Sequence, residues 1–277
     1  MLKEKAAHVR LLAVDAVYGA KSGHPGGSLS ISDIVTYLYF NKMNIDPANP
    51  QLETRDRFVL SKGHCCPALY SALALKGFFP VEELKKLRKL GAMLQGHPDM
   101  KGTPGIDMST GSLGQGFSTA CGMAIVAKQK QFDWKVYTIL GDGEIQEGQV
   151  WEAAMFANHY KLNNLIAFVD CNGYQIDGAV TDVMNPHPVD EKFRAFGWFT
   201  TVCDGHDFED IERAVAEAEK SGKPAAIICK TVKGKGVSYM ENNYTWHGKA
   251  PNSDEFAIAE KELQDAWTKA VEDVNNG

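Results

Sequence analysis

The sequence predicts an α/β fold, a parallel sheet with helices on both faces. Two observations lead there. Five short apolar runs alternate along the chain with stretches of helical periodicity, the order that a parallel sheet with crossover helices produces. Several of those runs are apolar at every position rather than at alternate ones, as strands covered on both faces should be. The 277 residues suffice for one large domain with a sizeable core. No linker, repeat or low-complexity block divides them, so 1–277 is read as a single domain.

The elements follow in order. MLKEKAAHVRLLAVDAVYGAKSGHPGG (1–27) spaces charges through apolar residues, which predicts an amphipathic helix and not a signal peptide. RFVLS (57–61) is the first strand. PVEELKKLRKL (80–90) reads as a helix opened by proline, its charged face solvated. SLGQG (112–116) opens the apolar helix FSTACGMAIVAK (117–128). KVYTIL (135–140) and NLIAFVD (164–170) are strands on either side of the helix EGQVWEAAMFANHYKL (147–162). WFTTV (198–202) and AAIICKT (225–231) are strands flanking DFEDIERAVAEAEKSG (207–222), a helix with three- and four-residue apolar spacing that stops at glycine. DEFAIAEKELQDAWTKAVEDV (254–274) is the last helix. In such sheets ligands bind beyond the carboxyl ends of the strands, so functional residues should follow the strands.

Composition narrows the function. A net charge of −6 argues against nucleic-acid and membrane-surface binding, whose footprint is basic. No run approaches the length of a membrane span. Cys65, Cys66, Cys121, Cys171, Cys203 and Cys229 contain no CxxC or ligand-spaced pair, so no zinc site is expected. They are read as reduced, mostly buried thiols of a cytoplasmic protein.

The informative motif is Gly141-Asp142-Gly143 at the open end of a buried strand. An unpaired carboxylate there is costly. Asp142 could cap the following helix, sit solvated in a turn, or hold a hard cation at a phosphate. The next strand ends in Asn172-Gly173, and 172 − 142 = 30 residues is about one strand–helix–strand unit. The two strand ends should therefore lie side by side, with the N-terminus of the intervening helix aimed at the same spot. A carboxylate, an amide oxygen and a main-chain carbonyl, with two diphosphate oxygens and a water, would complete magnesium's octahedron.

GDG followed at this spacing by Asn resembles the thiamine-diphosphate motif. Similarity to the transketolases in particular extends over nearly the whole chain: SGHPGGSLS (22–30), LSKGHCCPALYSAL (60–73), GHPD (96–99), STGSLGQGFSTACGMA (109–124), GDGEIQEG (141–148) and TWHGKAP (245–251). The resemblance implies a thiamine-diphosphate-binding fold of the diphosphate type, with thiamine diphosphate and Mg²⁺, or Ca²⁺ or Mn²⁺ in its place, as cofactors. It implies Asp142 and Asn172 as side-chain metal ligands and the Tyr174 carbonyl as the third. His64 and His247 would contact the diphosphate, Gly111 and Leu113 would line the cofactor, and the Gly143 amide would reach a phosphate oxygen. His24 and His97, with His247, would act on the sugar as catalytic groups, and Glu147 would sit near a subunit contact. The histidines share a context: His24, His64 and His97 each follow glycine, which lets backbone approach a ligand. His159, His187 and His206 fit no such segment and are read as structural or exposed. KTVKGKG (230–236) is read as a mobile loop or as a phosphate contact or channel gate.

Two departures stand out. Ser112 replaces a proline common in the family loop. More important, transketolases carry on a later, pyrimidine-binding domain the glutamate that activates the cofactor's aminopyrimidine, and no segment here resembles it. The chain is thus expected to be the N-terminal subunit of a split transketolase. Its partner would be a C-terminal subunit carrying the pyrimidine-binding domain, in an α₂β₂ heterotetramer. The implied reaction transfers a two-carbon ketol unit from a ketose to an aldose, as sugars or sugar phosphates. Competing readings are a deoxyxylulose-phosphate synthase-like protein, the α subunit of a 2-oxoacid dehydrogenase, and a non-catalytic module of the same fold. A Rossmann dehydrogenase fits poorly, since no GxGxxG follows an early strand.

Overall fold

The five apolar runs form one parallel sheet. A computed structural model describes residues 1–276. In chain order its elements are α1 (Leu2–Ala20), α2 (Pro25–Tyr37), β1 (Arg57–Leu60), α3 (Cys66–Lys76), α4 (Gln115–Gln129), β2 (Val136–Gly141), α5 (Gly148–His159) and β3 (Leu165–Cys171). There follow β4 (Tyr174–Gln175), β5 (Gly178–Ala179), α6 (Val180–Val183), α7 (Val189–Ala195), β6 (Phe199–Asp204), α8 (Phe208–Lys220), β7 (Ala225–Lys230) and α9 (Ser253–Asn276). The main sheet runs β1-β2-β3-β7-β6, and β4 and β5 make a small antiparallel hairpin. Every residue of β2 is buried, as its unbroken apolar run requires.

Alternation along the strands splits the core into two layers. Tyr137, Ile139, Ile166, Phe168 and Ile227 point to one face and pack with residues of α1, α2, α3 and α8. Val136, Leu140, Leu165, Ala167 and Val169 point to the other, with residues of α4, α5 and α7. α9 lies along α1, where the His8 and Trp267 rings stack 4.0 Å apart. Among the described residues no helix is long and apolar enough to cross a membrane. All six cysteines are free, and five are buried.

Two readings of the sequence change. Residues 80–90 do not form an α-helix. Val81–Lys86 make a 3₁₀ turn that follows Pro80, Leu84 and Leu87 bury three residues apart, and Arg88 enters the left-handed region at φ 60°. The eclipsed three-residue spacing suits a short tight turn rather than a continuing helix. The helices α2 and α3 were not signalled, and the reason is visible in α2: all thirteen of its residues are buried, so no polar face marks a helical period.

Register at the carboxyl ends depends on how closely α4 meets β1. A Cβ on Gly116, in the first turn of α4, would stand 2.7 Å from the Ser61 Cα just beyond β1. Gly116→Ala is therefore expected to destabilise the chain by about 1–3 kcal/mol, the usual cost of overpacking. Urea denaturation measures this, and an unchanged midpoint would mean that α4 can slide without loss.

Candidate functional site

β2 and β3 pair with Gly141 opposite Asp170, so the residues just past each strand meet. Gly173 has φ 82°, a conformation that glycine adopts freely. That turn swings its N–H onto Asp142, donating to Oδ2 at 2.6 Å, while the Gly143 N–H donates to Oδ1 at 2.9 Å. Asn172 donates from Nδ2 to Asp170 at 2.8 Å, and its Oδ1 accepts the Tyr174 N–H at 3.1 Å. The Asp142 and Asn172 side chains thus stand at two neighbouring strand ends, and Tyr174 lines one cavity with them.

The charge balance at this spot is unusual. Lys62 is buried and pairs with buried Asp170, which also accepts hydrogen bonds from Ser30 and Thr231. Asp142 is 2% exposed and, among the described residues, has no ion-pair partner. Burial, reinforced by Asp170, pushes its carboxyl up to about 7, against the two backbone N–H groups that favour the charged form. A carboxylate, an amide oxygen and a carbonyl form a hard-oxygen set that suits a divalent cation such as magnesium. No group of three or more His, Cys, Asp or Glu gathers for a metal among the described residues, and this donor set does not call for one.

A cavity of about 350 Å³ opens over the strand ends. Its walls include His24, His64 and His247, as well as Gly111, Leu113, Asp142, Gly143, Glu147, Asn172 and Tyr174. His97 stands just outside, its ring 6.5 Å from that of His24. The other three imidazoles lie within 5.5 Å of one another, centre to centre. Elements position each of them. His24 precedes α2, with the Ser28 hydroxyl donating to its carbonyl at 2.7 Å. His64 sits in the short turn between β1 and α3. The Tyr70 hydroxyl of α3 donates to the His97 carbonyl at 2.9 Å. Glu147 is exposed at the rim, at the start of α5. The short turn Glu144–Gln146 separates Asp142 from α5, so of the three roles open to Asp142 it does not cap that helix, which starts at Gly148 with Glu147 as its N-cap.

Burial holds the imidazoles neutral. His24 is pushed down to about 4, chiefly by desolvation and then by Arg88, and His247 to about 3 by desolvation and then Lys233. His64 lies well below its ordinary value, and His97 is lowered too. The His24 Nδ1 is buried with no hydrogen-bond partner among the described residues, a gap that a ligand or water would fill.

Two side chains here, Lys233 and Glu144, escaped the sequence reading, and His206 is structural, one of the two roles that reading gave it. Lys233, from KTVKGKG, is 1% exposed; it donates to the Tyr174 carbonyl at 3.3 Å and lies 3.1 Å from the His247 Nδ1. Burial and the neighbouring Lys62 push it down to about 8. The segment is therefore anchored in the cavity, and its basic composition was the available signal. Glu144 is buried and accepts from the Gly114 N–H at 2.9 Å, the Gly141 N–H at 3.0 Å and the Ser61 hydroxyl, which fastens three loops at the strand ends. His206 is neither isolated nor free: its Nδ1 meets Asp33 at 2.7 Å, and its Nε2 accepts the Val232 N–H at 2.9 Å. That bond secures the base of the segment bearing Lys233.

Three comparisons bear on this cavity. The family model "Transketolase, thiamine diphosphate binding domain" matches residues 2–271. A 6-deoxy-6-sulfo-D-fructose transketolase subunit from Clostridium sp. (strain MSTE9) is 48% identical over 264 residues, covering 95% of this chain and 96% of the relative. An apulose-4-phosphate transketolase subunit from Phocaeicola vulgatus is 43% identical, with 95% and 94% covered. The crystal structure of Campylobacter jejuni transketolase superposes with a TM-score of 0.89 at 35% identity, over 97% of this chain and 45% of that one. The chain thus spans nearly the full length of the two subunit relatives and less than half of the solved enzyme.

The histidine cluster sets a pH response. An imidazole whose folded pKa lies below its ordinary value of 6.5 binds protons more readily in the unfolded chain. Its contribution to stability is complete above pH 6.5 and is lost as pH falls toward about 4 for His24 and about 3 for His247. The melting temperature of the cofactor-free chain should fall over that window, and less steeply in a His24→Asn/His247→Asn double variant. Calorimetric scans across pH decide it; parallel profiles would show that these imidazoles titrate normally.

Proposed function

The chain belongs to the transketolase family, in its thiamine diphosphate binding part, and from that premise we propose that it is the diphosphate-binding subunit of a two-subunit transketolase. The observation that carries the reading is the buried, ion-pair-free Asp142 beside Asn172 and the Tyr174 carbonyl, under a ring of histidines. Asp142 through a carboxylate oxygen, Asn172 through Oδ1 and Tyr174 through its carbonyl would hold Mg²⁺, or Ca²⁺ or Mn²⁺ in its place. His64, His247, the Gly143 N–H and Lys233 would hold the diphosphate. Gly111 and Leu113 would line the ring portion.

When bound, thiamine diphosphate supplies a carbanion at its thiazolium ring and an electron sink for cleaving the bond next to a ketose carbonyl. This chain's part is to bind, orient and move protons. His24 and His97, with His247, would donate hydrogen bonds to sugar hydroxyls and to oxygen atoms that gain charge as the carbon–carbon bond breaks or forms. Imidazoles kept neutral by burial can donate from one nitrogen and accept at the other, so they can carry protons between hydroxyl and carbonyl positions. Closure of the cavity by the partner would exclude water. The reaction would move a two-carbon ketol unit from a ketose donor to an aldose acceptor, as sugars or sugar phosphates.

The two relatives that the chain spans almost completely are both named as subunits, which supports a separate partner. That partner would carry the pyrimidine-binding half, would touch the exposed Glu147, and would join this chain in an α₂β₂ assembly. We take residues 1–277 as a single diphosphate-binding domain, working in the cytoplasm, where the free thiols would stay reduced.

Two measurements test the reading on the assembled pair of subunits. Asp142→Ala should abolish Mg²⁺-dependent binding of thiamine diphosphate in titration calorimetry; an unaltered isotherm would refute the metal site. His97→Ala should keep that binding while ketol transfer falls by about 10²–10³, the usual loss of one transition-state donor. Tenfold weaker cofactor binding with normal turnover would reject its role at the sugar.

A further inference from the structure

Arg88 sits in a stretch whose composition suggests nothing but a wet surface. Its backbone says otherwise. Leu87 is buried, and Arg88 then turns left-handed at φ 60°, with its N–H donating to the Leu94 carbonyl at 2.8 Å. A non-glycine residue in that region carries a conformational cost. The turn sends the guanidinium inward, away from Lys85, Lys86 and Lys89, which stay exposed.

The guanidinium spans two loops. Nη1 donates to the Ser22 hydroxyl at 3.3 Å, and Nη2 donates to the Gly96 carbonyl at 3.2 Å. Ser22 lies two residues before His24, and Gly96 immediately precedes His97. Contact with the second loop is close: a Cβ on Gly96 would stand 2.7 Å from the Arg88 Cζ. The chain has six arginines. Arg10, Arg55, Arg57, Arg194 and Arg213 each pair with a carboxylate, whereas Arg88 has no such partner among the described residues. A surface staple gains from a carboxylate; an unneutralised charge beside two imidazoles has another use.

We propose that Arg88 is a positioning residue for ketol transfer: its planar fork bridges the loops before His24 and His97 and sets the two imidazoles toward one point on the sugar. The proposal rests on the functional reading above. Arginine suits the task because its donors leave in a fixed plane, which lysine's single ammonium cannot reproduce. The charge has a second effect. After burial, it is the strongest influence lowering both His24 and His97, and among the described residues it is the sole charged neighbour lowering His97. The other groups facing His24 are Lys233, His64, His97 and His247, with Lys62 behind His64. Asp99, on the His97 loop, is taken up by the Ser109 hydroxyl and the Lys101 N–H. Substituting Arg88 leaves all of these in place.

The test uses two variants, Arg88→Met, which removes charge and fork, and Arg88→Lys, which keeps the charge alone. Histidine resonances of the full-length chain are followed against pH, and ketol transfer is assayed with the partner present. In Arg88→Met the His24 and His97 midpoints should rise while that of His8, remote from Arg88, stays put. Turnover should fall by about tenfold or more with little change in cofactor affinity, as misplaced reacting groups predict. Arg88→Lys should keep midpoints near those of the unaltered chain yet lose turnover. Unmoved midpoints and normal turnover in Arg88→Met would overturn the proposal. So would a lowered melting temperature as the only change, or full activity in Arg88→Lys. If the unaltered chain transfers no ketol unit while the midpoints still shift in Arg88→Met, the functional reading fails and the clamp on the two loops stands.

Discussion

A buried carboxyl with no ion-pair partner among the described residues organises this molecule's open end. Asp142 is buried at the tip of β2, next to the central strand, and the neighbouring Lys62 is already committed to Asp170. Desolvating a carboxylate costs several kcal/mol unless something answers it. Two backbone N–H groups answer it in part. The rest of the demand falls on whatever enters the cavity. A hard cation with an anionic ligand behind it meets that demand in one step, because the cation neutralises Asp142 while the ligand's negative charge meets the ring of imidazoles and Lys233.

Parallel pairing makes the arrangement possible. Strands running the same way bring their carboxyl ends, and the loops beyond them, to one edge. β1, β2, β3 and β7 deliver the His64 turn, Asp142, Asn172 and the Lys233 segment to that edge in neighbouring positions. The loops are fastened together rather than to solvent. Glu144 ties the end of β1, the end of β2 and the entry to α4. His206 and Asp33 tie the Lys233 segment to α2. Rigid support of this kind keeps donors aimed before a ligand arrives, which lowers the cost of ordering on binding.

The cavity's electrostatics are asymmetric. One wall offers oxygen acceptors, and the facing walls offer imidazoles and ammonium groups. Burial keeps the imidazoles neutral and lowers the Lys233 ammonium toward neutrality. An anion bound here would reverse part of that burial effect, because charged donors gain a partner. The state of the histidines is therefore coupled to occupancy of the site.

How much of this was legible before the fold was known follows from locality. The five strands, the helices α1, α4, α5, α8 and α9, and the Asp142–Asn172 spacing were all readable, because apolar runs, helical periods and the length of one crossover unit are properties of short stretches. The company that side chains keep was not. α2 is buried on every side, so no period betrays it. Lys233 and Glu144 look like ordinary charged residues until the loops fold over them. Arg88 lies among surface lysines in sequence and between two histidine loops in space, because a left-handed turn after Leu87 redirects it. Local pattern was enough to say which segments form the sheet and what stands at its open edge. Which charges there find partners, and which remain for a ligand, depends on distances between segments far apart in the chain, and those distances exist only once the fold is assembled.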